Sequence, residues 1–393
     1  MNKVALFSNY INHHQLPFCK EMVSLTNNNF KFISQKAISL KRIPLGYKDI
    51  SNDYGFVVKT YESSEELNKA YKIADDYDYV IFGSTSEDYF KNRLAKNKIT
   101  FEYSERLNKK KLTPYMYVKK YLSLMKHRRK YKNSKLFLLC NGIYVANDYN
   151  MFNTYKNKTY KWGYFPEFIE YNIEDLIKSK NSKLTLLWAG RLISWKHPEH
   201  VVELAKMLKN DNIDFDLNII GNGELEESVK ELIRKYKLEN CIHLLGSMSP
   251  EEVRKEMEKS HIFISTSDIG EGWGVVVNEA MNSGCACVIS SAVGSAGFLI
   301  KHGVNSLIYE DGKIESLYEN VTKLLEENLR FEICKQAYKT IKDEWNGEIA
   351  AKRFLELAKA LDEGKDTPFV SGPCSKAEPI KDKEMYNYLT GKK

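Results

Sequence analysis

Ile264-Ser265-Thr266-Ser267-Asp268-Ile269-Gly270-Glu271-Gly272-Trp273-Gly274-Val275-Val276-Val277-Asn278-Glu279-Ala280-Met281 reads as the end of a buried strand, a glycine-rich loop and the start of a helix. In an open α/β sheet, ligands sit outside the carboxyl ends of the strands, where this loop falls. Gly270, Gly272 and Gly274 allow backbone to approach a ligand, and free N–H groups at the helix start favour phosphate. The pattern predicts a helix over Trp273–Ser283, with Glu271 in the loop and Glu279 about two turns in, both able to face one crevice. Acids beside a phosphate site need another task, and holding sugar or ribose hydroxyls is the natural one. The competing reading is a solvent-facing helix with ordinary surface acids.

A second strand end lies upstream. Trp188-Ala189-Gly190-Arg191-Leu192-Ile193-Ser194-Trp195-Lys196-His197 places two cations ahead of a helix that begins near Pro198. Arg191 and Lys196 at the top of a sheet suit a diphosphate, bidentate for the arginine and point-like for the lysine. Around these loops, strands alternate with helices. Strands are expected at Leu184–Ala189, Phe215–Ile220, Ile242–Leu244, Ile262–Ser265 and Ala286–Ser290. The first half repeats the alternation at Lys3–Phe7, Tyr79–Phe82, Ile99–Tyr103 and Leu136–Cys140, and more weakly at Phe30–Ile33 and Gly55–Lys59.

The chain is therefore expected to be α/β, with two Rossmann-like domains facing across a cleft. Residues 1–170 are expected to form the first domain and residues 171–345 the second, with helices from about 345 packing back on the first. The polar, proline-interrupted stretch 364–393 is not placed.

Arg191 and Lys196, then Gly221-Asn222-Gly223, then the segment from Glu271 to Glu279 resemble the signature of the retaining glycosyltransferases of family four, whose fold is the glycosyltransferase-B architecture. The likeness is close over about residues 184–300 and extends to the N-terminal half in strand order. It implies that Arg191 and Lys196 contact the donor diphosphate, that Glu279 binds the ribose and that Glu271 approaches the donor sugar. It further implies a donor site built from Gly190, Gly272, Trp273, Gly274 and Val275, with Met248 edging the base. The resemblance thus implies a retaining enzyme that takes a nucleotide-diphosphate sugar, with Arg191, Lys196 and Glu271 as its catalytic set. No cofactor and no metal are expected.

One departure stands out. The loop after the first strand, Asn9-Tyr10-Ile11-Asn12-His13-His14-Gln15, lacks the glycines many members carry there. His13 or His14 is a candidate for a phosphate or sugar oxygen, and Glu105, after Tyr103-Ser104, is a candidate for the acceptor or sugar pocket. An unremarkable polar loop histidine is the plain alternative. Asp76-Tyr77-Asp78 and Asp214-Phe215-Asp216 imitate a metal motif but precede their strands, at the sheet end opposite the expected site. His197-Pro198-Glu199-His200 straddles a helix start and reads as helix-terminal polarity rather than a zinc site.

Composition narrows the class. The 393 residues are 43% hydrophobic and 28% charged, which excludes wholesale disorder. Seven dispersed cysteines without a CxxC pair argue for reduced thiols in a cytoplasmic compartment, and the short apolar run at the N-terminus reads as a strand, not a signal peptide. Residues 1–180 hold 31 Lys+Arg against 18 Asp+Glu, whereas the remainder holds 28 against 34. Twelve of those cations, and no acid, fall in 106–135. Interleaved with tyrosine and leucine, they predict a helix over Pro114–Lys132 that lies on an anionic membrane, against the plain alternative of a solvated face.

The expected partners are thus a nucleotide-sugar donor, a glycan or lipid-linked glycan acceptor of the cell surface, and the inner face of the cell membrane. Nucleic acid is not expected, because the other features form a small-ligand cleft. Two rivals remain at this level. One is a nucleotide-sugar epimerase of the same architecture. The other is a non-catalytic membrane- or nucleic-acid-binding protein.

Overall fold

A computed structural model describes residues 2–39, 48–107, 109, 113–150 and 152–392. The chain forms two compact units: residues 1–167 with 344–381, and residues 168–343 with 382–393. The stretch from 344 to 381 thus belongs with the first half of the chain, and the unplaced tail is shared between the units.

The first unit is built on seven strands: β1 (Val4–Ser8), β2 (Phe30–Ser34), β3 (Val57–Lys59), β4 (Tyr79–Gly83), β5 (Thr100–Ser104), β6 (Leu136–Asn141) and β7 (Thr159–Trp162). They are parallel, in the order β3-β2-β1-β4-β5-β6-β7. β1, β4 and β6 are buried along their whole length, as apolar runs covered on both faces must be. β7 is not foreseen by the sequence pattern because it is an edge strand of four residues whose burial merely alternates.

The second unit has six strands: β8 (Thr185–Ala189), β9 (Asp216–Ile220), β10 (Ile242–Gly246), β11 (Ile262–Ser265), β12 (Ala286–Ser290) and β13 (Leu307–Tyr309). All pair in parallel, in the order β10-β9-β8-β11-β12-β13. Helices Pro198–Asn210, Glu226–Lys235 and Ile314–Lys323 bury Val201, Leu204, Leu208, Val229, Leu317 and Val321 in one apolar core with strand residues Leu186, Leu217, Ile264 and Val288. Ser249 caps the helix Pro250–Lys259 through a full capping box with Glu252, as its sequence signals.

Both sheets reverse strand order once. In the first the reversal falls between β1 and β4, in the second between β8 and β11. Such a switch point opens a crevice at the carboxyl ends of the two central strands, because the connections leave them in opposite directions. The glycine-rich loop with Glu271 follows β11, and the loop with Arg191 and Lys196 follows β8.

Candidate functional site

In the second unit, strand order makes the loop after β8 and the loop after β11 neighbours, and hydrogen bonds then join them. Trp188 Nε1 donates to Thr266 Oγ1 at 2.8 Å, and Thr266 Oγ1 donates to the Lys196 carbonyl at 2.6 Å. The Asp268 N–H reaches the Trp195 carbonyl at 3.0 Å. His197 sits in the left-handed region at φ 47° and bridges the two loops, with Nδ1 2.8 Å from Glu199 and Nε2 3.3 Å from Asp268. Asp268 in turn accepts the Gly270 N–H at 2.7 Å and so shapes the glycine loop.

The catalytic candidates meet here. Lys196 Nζ donates to Glu271 Oε2 in an ion pair whose side chains are 16% and 18% exposed. Arg191 is exposed, its guanidinium 5.3 Å from the centre of the Trp195 ring. The Gly221-Asn222-Gly223 turn holds that loop from behind: a β-carbon on Gly221 would lie 1.9 Å from the Gly190 carbonyl oxygen, and Leu192 N–H donates to the Asn222 carbonyl at 3.0 Å. Only glycine fits at 221, and this backbone approach is what the dinucleotide-like GxG is for.

The helix after the glycine loop is Val276–Asn282, three residues later than expected. Gly274 has φ +83°, a conformation that cannot continue a right-handed helix upstream. Glu279 therefore sits in the first turn, not two turns in. It is half-buried, and burial raises its carboxyl above the ordinary value against the pull of Arg254. Trp273 is 1% exposed, with Nε1 bonded to Asn278 Oδ1 at 2.9 Å. Its ring is core, so the loop can offer backbone there but not an indole face. Gly272 and Gly274 are buried, and Val275 is half-buried. Met248 is half-buried after β10, the edge strand, two strands away from β8.

The first unit carries its own polar group at the carboxyl ends of β1 and β5. Tyr103 OH lies 2.8 Å from Ser8 Oγ, and Gln15 Nε2 donates to Tyr103 OH at 3.2 Å and to Ser8 Oγ at 3.3 Å. Tyr103 crosses β4 to do this: a β-carbon on Gly83 would lie 1.9 Å from its ring. Burial pushes the Tyr103 phenol up to about 12, so it stays a neutral donor. Glu105 accepts from Tyr164 OH at 2.9 Å and pairs with Lys109. His13 and His14 have ring centroids 3.7 Å apart, and burial, then the neighbouring His13, holds His14 well below its ordinary value, so His14 is neutral at pH 7. His14, Gln15, Tyr103 and Tyr164 line one small cavity with Phe18 and Trp162. Sequence reasoning misses Ser8, Gln15, Tyr103 and Tyr164 as a group, because nothing local links them.

The two metal look-alikes lie at amino ends. Asp78 accepts the Lys3 N–H at 2.8 Å, and Asp214 and Asp216 both pair with Lys183, at 3.1 and 3.0 Å. Of the basic stretch, residues 108 and 110–112 lie outside the described residues, while Pro114–Tyr131 is one helix capped by Thr113. Among the described residues, no helix is long and apolar enough to cross a membrane.

Two parallel α/β units, one with cations and acids collected at its switch point, define the class as the glycosyltransferase-B architecture. Known structures agree. The lipopolysaccharide outer core galactosyltransferase WaaB in its apo form aligns with TM-score 0.67 over 91% of this chain and 99% of its own, at 16% identity. Anabaena Alr3699/HepE in complex with UDP aligns with TM-score 0.66 over 92% and 100%, at 15% identity. Residues 172–343 match the model of the family described as glycosyl transferases group 1. Among curated relatives, an uncharacterised glycosyltransferase of Methanocaldococcus jannaschii is 31% identical over 191 residues, 47% of each chain. The amylovoran biosynthesis glycosyltransferase AmsK of Erwinia amylovora is 27% identical over 207 residues, 51% of this chain and 50% of its own. These matches span about half the length of those relatives.

Proposed function

We propose that the chain is a retaining glycosyltransferase that moves a hexosyl or N-acetylhexosaminyl group from a nucleotide-diphosphate sugar to a hydroxyl of a cell-surface glycan, lipid-linked and met at the inner face of the cell membrane. The observation that carries the reading is the junction of the loops after β8 and β11. It sets Arg191, the Lys196–Glu271 pair and the glycine loop at one switch point. The relative named for amylovoran biosynthesis, AmsK, supports a glycan acceptor.

On this reading the diphosphate lies against Arg191 and Lys196. Donor entry exchanges the Lys196–Glu271 contact for one between Lys196 and phosphate, and frees Glu271 to accept from sugar hydroxyls. As the glycosidic bond to the diphosphate breaks, negative charge grows on the leaving oxygen, and the two cations stabilise it where it forms. The acceptor hydroxyl attacks from the same face, its proton passing to the leaving phosphate. Glu271 orients the sugar and forms no covalent intermediate. Glu279 holds the ribose, and the Ser8–Gln15–Tyr103 group with His13, His14, Glu105 and Tyr164 serves the acceptor or sugar. On this reading Arg191 and Lys196 supply the countercharge, so turnover should need no metal and survive EDTA.

The test is transfer from a panel of nucleotide sugars to glycan acceptors, with the anomeric configuration of the product read by NMR. Product with the donor's configuration, lost in Arg191→Ala, is expected. Inverted product would overturn the retaining course, and donor conversion without acceptor would favour an epimerase.

A further inference from the structure

Eleven large hydrophobic side chains are exposed among the described residues, and six of them lie within eight consecutive positions of one helix. These are Tyr115, Met116, Tyr117, Val118, Tyr121 and Leu122, with Tyr115 at 75% and Leu122 at 61% exposure. The helix is Pro114–Tyr131 in the first unit, and its sequence holds no acidic residue. At 100° per residue, Tyr115, Val118 and Leu122 stand on one stripe, and the same stripe continues through Lys126 and Arg129, with Lys119 beside it. Lys119, Lys126 and Arg129 are all exposed.

The opposite face explains how the helix is seated. Tyr121 and Tyr117 pack on Phe152 at 5.6 and 6.2 Å between ring centroids, and His127 packs on Tyr155 at 5.6 Å. Tyr131 is buried at the C-terminal end. The helix is thus anchored by one face and offers solvent a surface that is apolar at its start and cationic towards its end. An exposed tyrosine, valine and leucine in line form a contiguous apolar patch, and a patch of this kind marks an interaction surface.

We propose that this face is a docking surface for an anionic lipid bilayer, with the helix lying in the plane of the membrane. Tyr115, Val118 and Leu122 enter the boundary between headgroups and acyl chains, and Lys119, Lys126 and Arg129 meet the lipid phosphates. Charge complementarity selects this occupant. A phosphate-bearing surface answers the cations, and of such surfaces a bilayer also takes up aliphatic side chains, which a nucleic-acid backbone does not. The inference deepens the proposed lipid-linked acceptor by naming what holds the enzyme to it, and its test uses no donor or acceptor.

The full chain is sedimented with phosphatidylcholine vesicles, with and without phosphatidylglycerol, at rising salt. Binding to the anionic vesicles alone, weakening with salt, is expected. Two triple variants, Y115S/V118S/L122S and K119Q/K126Q/R129Q, should each lower the bound fraction several-fold while leaving the melting temperature and nucleotide binding in solution unchanged, since every substituted side chain is exposed. Leu122→Trp should add a blue-shifted emission on anionic vesicles. Absence of sedimentation, equal sedimentation with neutral vesicles, or no blue shift in the emission that Leu122→Trp adds would overturn the proposal. So would a duplex oligonucleotide that competes while the Y115S/V118S/L122S variant binds vesicles normally. None of these results would touch the glycosyltransferase reading, which stands or falls on nucleotide binding and transfer without vesicles.

Discussion

Lys196 and Glu271 neutralise each other while Arg191 is left facing solvent against Trp195, and this asymmetry sets what each substitution should do. Arg191→Ala removes a cation whose hold on the diphosphate strengthens as charge grows on the leaving oxygen, so turnover should fall about 100-fold with a smaller change in donor KM, read by steady-state kinetics. Glu271→Gln leaves Lys196 without its counterion. Diphosphate binding should then hold or tighten while turnover falls, a split that titration calorimetry and kinetics together would show. His197 gives a pH signature. Hydrogen bonding to Glu199, then to Asp268, raises its ionisation above 6.5 against the opposing pull of burial. A raised histidine stabilises the fold fully below its unfolded value, and that contribution is lost as pH climbs through the folded value. The melting-temperature gap between the native chain and His197→Asn should therefore be widest below pH 6.5 and close above it. His200 and Asp311 also face this network. Arg191, Lys196, Glu271 and Glu279 are legible as candidates because each lies in one of the two runs that follow a strand end. Asp268 and His197 as a bridge cannot, since their contact joins positions 71 apart.

At the scale of elements, two close approaches carry the geometry. The Gly83 position is filled by the Tyr103 ring, so Gly83→Ala should cost about 1–3 kcal/mol in urea unfolding, and Tyr103→Leu in the same chain should recover part of it. Arg93 is fully buried in the short helix Lys91–Ala95, where it donates to the carbonyls of Ala74, Tyr77, Asp78 and Ile99 and so ties the amino ends of β4 and β5 together. Arg93→Leu strands those acceptors and should cost about 3 kcal/mol or more by the same measurement. Most strands are legible because parallel strands covered on both faces are continuous apolar runs. The glycine-loop helix starts three residues later than its pattern suggests for a physical reason: Gly274 adopts a conformation that its neighbours' helical pattern does not reveal. The small elements, β7 and Lys91–Ala95 among them, have too few residues for a periodicity to register.

At the scale of the whole molecule, strand order decides where chemistry can happen. The sequence supplies two runs of alternating strands and helices; that β8 and β11 are neighbours follows only from the sheet, and that adjacency turns two loops into one site. The most direct test is thermal melting of the full chain against UDP, GDP, CMP, ADP and dTDP, with magnesium and with EDTA. A ligand present at about 100 times its Kd and bound only by the folded chain adds about 2.7 kcal/mol of stability, enough to read as a clear shift. One nucleotide should raise the melting temperature equally in magnesium and EDTA, and Glu279→Ala should weaken that binding about tenfold. No shift with any of the five, or a shift that Glu279→Ala leaves untouched, would contradict a donor site at the β8–β11 switch point.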